Sequence, residues 1–155
     1  MSFIPYHYLH CYLNVPDTSG RDSLFQSESR KCKKILDKIN KLGDSVRHFC
    51  LFDELYSGTN PKEAVKCGYA YLSHLSNTAN IQYMLTTHYT ELCDKFSKKE
   101  TIENYKMLVK VDETTSVITY TYKIVKGINN VEGGVEVLRQ MNYPASILNQ
   151  MNEMK

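Results

Sequence analysis

The sequence predicts an α/β fold, a mostly parallel sheet flanked by helices with a peripheral antiparallel hairpin. Two observations carry the parallel part: the apolar runs at residues 49–52 and 81–85 both end in polar residues, and longer amphipathic stretches alternate with them. The third observation is local. Residues 106–111 and 117–125 are β-rich and only the polar stretch 112–116 separates them, so they read as a hairpin. At 155 residues the chain fits one domain, or a large part of one, and buries a real core.

The elements follow in order. Residues 3–15 carry Tyr6, Tyr8, Leu9, Tyr12, Leu13 and Val15 between Pro5 and Pro16, which suits a strand of about five or six residues. Its His7 and His10 read as surface or packing histidines, because a strand sends positions three apart to opposite faces and no second ligand pair follows. A polar turn at 17–21 precedes a long helix from Asp22 to Gly43. Leu24, Phe25, Cys32, Ile35, Leu36 and Ile39 form its apolar face, and Arg30, Lys31, Lys33, Lys34 and Lys38 its charged one. Ser23 at the entrance suits an N-cap, and the same helix end is chemically suited to seating an anion.

The organising stretch is 47–61, R-H-F-C-L-F-D-E-L-Y-S-G-T-N-P. It reads as a buried strand that delivers Asp53 and Glu54 to its own C-terminal end, then a Ser-Gly-Thr-Asn-Pro turn. In an open α/β sheet, ligands sit beyond the carboxyl ends of the strands, so these acids are candidates for holding a metal and polarising a water. Taken alone, Asp-Glu after an apolar run is also how an ordinary strand enters a solvated turn. Asn60 and Pro61 read as N-cap and first residue of a helix through Ser76, with Ala64, Val65, Tyr69, Leu72 and Leu75 on its apolar side. Residues 81–88 read as a second buried strand whose terminal His88 reaches the same edge. A short helix at 89–96 and a charged turn at 97–101 lead to the hairpin. Beyond it, one helix carries Val135, Val137, Leu138 and Met141, and Pro144 starts another through Ile147, Leu148 and Met151.

Composition excludes several classes. A net charge of +2 is too small to argue for nucleic acid by itself, and the twelve tyrosines are scattered rather than set in a stacking motif. Five cysteines without a C-x-x-C pair suit free thiols in a reducing compartment. Neither a secretory leader nor an apolar run of spanning length is present, so the expectation is an intracellular protein, cytoplasmic or nuclear, with no membrane partner.

The segments D-S-L-F-Q-S-E, F-D-E-L-Y-S-G-T-N, T-T-H-Y-T-E-L and K-G-I-N-N-V-E-G-G-V-E-V-L-R-Q-M-N-Y-P occur in this order. Their joint order resembles the C-terminal part of the ATPase domain of MutS DNA mismatch-repair proteins, in a divergent, viral-like form, from about Ile4 onward. The resemblance implies the C-terminal part of an ABC-type P-loop ATPase domain, with ATP and Mg²⁺ as cofactors. By it, Asp53 is the Walker B aspartate that supports the metal, Glu54 orients the hydrolytic water, and His88 is the switch histidine near the γ-phosphate. Ser23, with Phe25 and Glu28, matches the signature segment, whose serine reaches a phosphate held by the other protomer. Ser57, Gly58 and Thr59 fall in the loop that lies against the partner.

The chain also departs from that pattern. It contains no G-x-x-x-x-G-K-[ST] loop, which the family places before this segment. Asp22 and Leu24 flank Ser23 where Gly- or Arg- and Thr-like residues are common. The expectation is therefore a partial ATPase domain over residues 1–155, from a truncated or split gene, without a separate mismatch-binding or nuclease domain. It would be inactive alone, would act as a homodimer or with the missing N-terminal half, and would meet mismatched DNA through the full-length protein. Two other readings are a non-catalytic dimerisation remnant of that fold and an ABC-type transporter ATPase.

Overall fold

The computed structural model describes residues 4–13, 23–112, 118–131 and 133–154. The expected turn at 17–21, the helix-opening Asp22 and the hairpin-turn residues 113–116 lie outside the described residues. Two compact units make up the chain, Met1–Ile102 and Glu103–Lys155.

The first unit runs β1 (Tyr8–Tyr12), α1 (Leu24–Leu42), β2 (His48–Asp53), α2 (Pro61–Ser76), β3 (Ile81–Thr86) and α3 (Thr90–Phe96). Its three strands are parallel in the order β1-β2-β3, so the strand that ends in Asp53 is the middle one. Such an unreversed order, with right-handed crossovers, brings α1 and α2 to the same face of the sheet. Burial alternates accordingly. His10, Tyr12, His48, Cys50, Phe52 and Ile81 are buried under the helices, whereas Leu9 is 69% and Met84 61% exposed on the opposite face.

The helices begin where the sequence places them. The Ser23 side chain accepts from the Gln26 N–H while Gln26 reaches back to the Ser23 N–H, a capping box. Asn60 accepts from the Glu63 N–H, and Pro61 supplies the preset φ of a first helical residue. The core clusters Cys32, Ile35 and Ile39 of α1, Phe52 of β2, Leu72 and Leu75 of α2, and Leu92 and Phe96 of α3. Leu72 and Leu75 are wholly buried, each contributing about 1.5–3 kcal/mol of transfer free energy.

Two expectations change. The second strand ends at Thr86, so His88 stands in the bend beyond it rather than on it. Nor is β3 buried on both sides: Ile81 is buried while Gln82, Met84 and Thr86 are exposed, because the helices cover one face only.

In the second unit, β4 (Tyr105–Val111) and β5 (Ile118–Lys126) form the expected antiparallel hairpin. Its register shifts between Leu108 and Val109, where Tyr122 adopts φ 57° and the Thr121 hydroxyl donates to the Leu108 carbonyl at 2.5 Å. The helices α4 (Gly134–Gln140) and α5 (Ala145–Glu153) follow, with Pro144 at the N-cap of the latter.

Candidate functional site at the carboxyl edge of the parallel sheet

Asp53 is the last residue of β2 and pairs in register with Thr86, the last residue of β3. The Thr86 hydroxyl donates to Asp53 Oδ1 at 2.5 Å, and the Glu54 N–H donates to the Thr86 carbonyl at 3.0 Å. These bonds fix the aspartate against the neighbouring strand and leave the carboxylate exposed to the crevice. Glu54 then leaves the strand in the left-handed region, φ 50°, so the two acids diverge through a sharp turn rather than by strand alternation. His88 meets Glu54 across the gap, its Nδ1 3.5 Å from Oε1. The imidazole also lies against the Tyr89 ring, centroid to centroid 4.2 Å.

The loop after Glu54 is locked from below. Tyr56 has φ 60°, a second left-handed residue without a glycine's freedom, a conformation that costs on the order of 1–3 kcal/mol and persists only where the surroundings impose it. Here they do: the Tyr56 ring packs against Phe25 of α1 and edge-on against Tyr71 of α2, at 5.8 and 6.3 Å. Burial, with Cys32 beside it, pushes its phenol up and keeps it neutral.

Ser57 and Gly58 are tied to α1 by Glu28. This carboxylate, 2% exposed, accepts from the Gly58 N–H at 3.1 Å and from the Ser57 hydroxyl at 3.3 Å. A side chain at position 58 would collide with the helix, since a Cβ there would lie 2.5 Å from Leu24 Cγ. Glu28 belongs to the quoted signature segment, but its burial was not legible in the helix periodicity, which reserves the inner face for apolar residues. The nearest sequence signal is its position among Leu24, Phe25 and Cys32 on that face.

The predicted residues thus divide into two connected groups. Asp53, Glu54 and His88 converge at one edge, with Thr86 as a partner the sequence reading did not single out. Ser57 and Gly58 sit against the first turns of α1, which Ser23 opens. Ser23 joins them through its own helix, and its Oγ is engaged by the Gln26 N–H. The Thr59 hydroxyl is turned to Glu63 at 2.7 Å and serves the start of α2.

The donor set is hard oxygen, which suits Mg²⁺ rather than a soft metal. Among the described residues no cluster of three or more His, Cys, Asp or Glu is placed to hold a metal by itself. A cation at Asp53 therefore needs oxygens from a ligand or water. His7 is a surface residue and His10 a packing one: His7 Nδ1 accepts from the Arg47 N–H at 2.9 Å, and buried His10 pairs with His48 at 3.0 Å. The described cysteines are all free. Among the described residues no helix is long and apolar enough to cross a membrane.

A comparison against known families gives the family that the ordered motifs resemble. The family described as MutS domain V matches residues 5–155. The chain belongs to the MutS domain V family. It is 25% identical over 138 residues to the DNA mismatch repair protein MutS of Orientia tsutsugamushi (strain Ikeda), covering 89% of this chain and 15% of that protein. It is 27% identical over 138 residues to the MutS of Thermosipho melanesiensis, with 89% and 16% covered. To the endonuclease MutS2 of Streptococcus mutans it is 34% identical over 126 residues, with 81% and 15% covered. The chain thus spans only a small part of the length of these relatives.

Proposed function

We propose that this MutS domain V chain supplies the metal-facing and water-orienting half of an ATP-hydrolysing site, with the phosphate loop coming from another segment or chain. The observation that carries the reading is the convergence of Asp53, Glu54, Thr86 and His88 at the carboxyl edge of two adjacent parallel strands. Two exposed carboxylates there repel a bare polyphosphate. A nucleotide enters only with a cation, and a phosphate loop must supply further positive charge.

Bound Mg-ATP supplies the phosphoryl group and the cation that offsets its developing charge. Asp53, held in place by Thr86, would hold that cation with its free carboxylate oxygen. Glu54 accepts a hydrogen bond from a water and orients its lone pair. His88 faces Glu54 and reads the state of that pair. Ser23, Ser57, Gly58 and Thr59 line the side toward a partner's nucleotide. A parallel strand added at the free edge of β3 would carry its own C-terminal loop to the same crevice, beside Thr86 and His88. Contact with mismatched DNA and dimer formation belong, in this reading, to the longer protein.

One observation favours a second reading. The helix-free sheet face, with Leu9 and Met84 exposed, suits association, so a dimerisation module of the same fold without nucleotide chemistry is the alternative. Mg-ATP turnover by the chain alone, by a P-loop segment of a MutS relative alone, and by their mixture separates the two. Catalysis predicts turnover only in the mixture, reduced about a hundredfold or more by Glu54→Gln. Complex formation without turnover would leave the association reading.

A further inference from the structure

Glu28 ties α1 to the loop that follows the acid pair. It accepts from Gly58 and Ser57 in the loop after the acids, and its charge acts on the phenols of Tyr12 of β1 and of Tyr89, the neighbour of His88. The charge of Glu54 acts on the same Tyr89 phenol. A carboxylate this buried is costly unless its lone pairs are used, and here the donors are parts of the functional loop rather than solvent. The loop it holds contains the left-handed Tyr56 and starts from the left-handed Glu54, and the Ser57 N–H closes back onto the Glu54 carbonyl at 3.3 Å. Without an anchor, such a loop would relax toward ordinary backbone geometry.

We infer that Glu28 is a positioning residue: through Ser57 and Gly58 it fixes the backbone that presents Glu54, and so couples the Ser23 end of α1 to the acid pair. This deepens the proposed function and rests on it for its catalytic meaning. The mechanical coupling stands on the hydrogen bonds alone. A shift of α1 at its Ser23 end would reach Glu54 through the two hydrogen bonds of Glu28 and the turn that the Ser57 N–H closes onto the Glu54 carbonyl.

Hydrogen exchange in the full chain tests the coupling, using Glu28→Ala, Glu28→Gln and Gly58→Ala. Removing a buried acceptor frees the Gly58 amide, so Glu28→Ala raises exchange across residues 54–60 about tenfold or more while residues 64–75 keep their protection. Glu28→Gln keeps one acceptor oxygen and gives an intermediate value. Gly58→Ala pushes the loop off Leu24 and produces the same local loosening. If Glu28→Ala does not fold, the Gln and Gly58 variants decide. Unchanged protection of 54–60 in the folded variants would overturn the inference. In the reconstituted turnover assay, Glu28→Gln is expected to lower kcat at unchanged KM. Wild-type failure in that assay with altered exchange would reject the proposed activity and leave the coupling intact.

Discussion

Acid should loosen this fold through one pair of histidines. His10 on β1 and His48 on β2 lie under α1, 8% and 0% exposed, with His10 Nε2 3.0 Å from His48 Nδ1. His48 Nε2 is buried without a hydrogen-bond partner. The tautomer that avoids an unpaired buried N–H has His48 donating from Nδ1 to His10 Nε2. A proton on His10 Nε2 breaks that bond, and one on His48 Nε2 is buried without an acceptor. The neighbouring basic groups are unfavourable as well: Lys38 of α1 acts on both rings and His7 ahead of β1 on His48, while the Tyr8 ring stacks on both imidazoles. Burial first, and then these neighbours, hold both histidines below their ordinary value of 6.5. The sign follows. Above pH 6.5 both states are neutral and stability is flat; below it the unfolded chain binds protons that the folded chain refuses, so stability falls as pH falls toward the depressed folded values. The slope is at most about 1.4 kcal/mol per pH unit for each histidine, or about 2.7 for the pair. Urea melts between pH 8 and pH 5 measure it, with His10→Gln and His48→Gln each removing one titrating ring. A wild-type curve that is flat across this range, or a slope in both variants as steep as that of the wild type, would refute the reasoning.

Other consequences are simpler. Leu72→Ala should destabilise the first unit by about 2–5 kcal/mol, because a wholly buried leucine leaves a cavity that fixed neighbours fill only in part; a thermal or urea melt reads this directly. Asn60→Ala removes the cap of α2 and should cost about 1 kcal/mol, with Asn60→Asp restoring most of it in the same assay. The double variant Leu9→Lys, Met84→Lys changes the open sheet face and should abolish concentration-dependent sedimentation of the wild type while moving stability by no more than about 0.5 kcal/mol per site. Equal self-association in variant and wild type would place the sticky surface elsewhere. The Cys50 thiol, pushed up to about 12 by burial, should resist alkylation in the folded chain at pH 8, whereas exposed Cys11 reacts; mass spectrometry of the labelled peptides distinguishes them.

The fold was legible wherever a local signal and the tertiary packing agree. Ser23 and Asn60-Pro61 mark helix starts because capping is settled within one turn, and Phe49–Phe52 marks the central strand because a strand buried among neighbours is apolar throughout. The limits of β3 were less legible. Its alternation depends on helices covering one face only, which is a property of chain order rather than of the segment itself. At the candidate site, the meeting of Asp53, Glu54 and His88 at one edge was legible because the α/β plan brings strand ends together. Thr86 and Glu28 were not assigned their parts: a threonine ending a strand has many ordinary uses, and a buried glutamate contradicts the apolar face on which it sits. The left-handed backbone at Glu54 and Tyr56 carries no sequence signature either, since neither is glycine or asparagine.

The most direct test of the central claim is metal-nucleotide binding at Asp53. Mn²⁺ replaces Mg²⁺ as a paramagnetic probe, and water-proton relaxation is followed with ATP, the wild-type or Asp53→Asn chain, and the P-loop segment. The account predicts an enhancement in the mixture beyond that of either component, lost with Asp53→Asn while the complex still forms. An enhancement due to the P-loop segment alone, or one that survives Asp53→Asn, would contradict it.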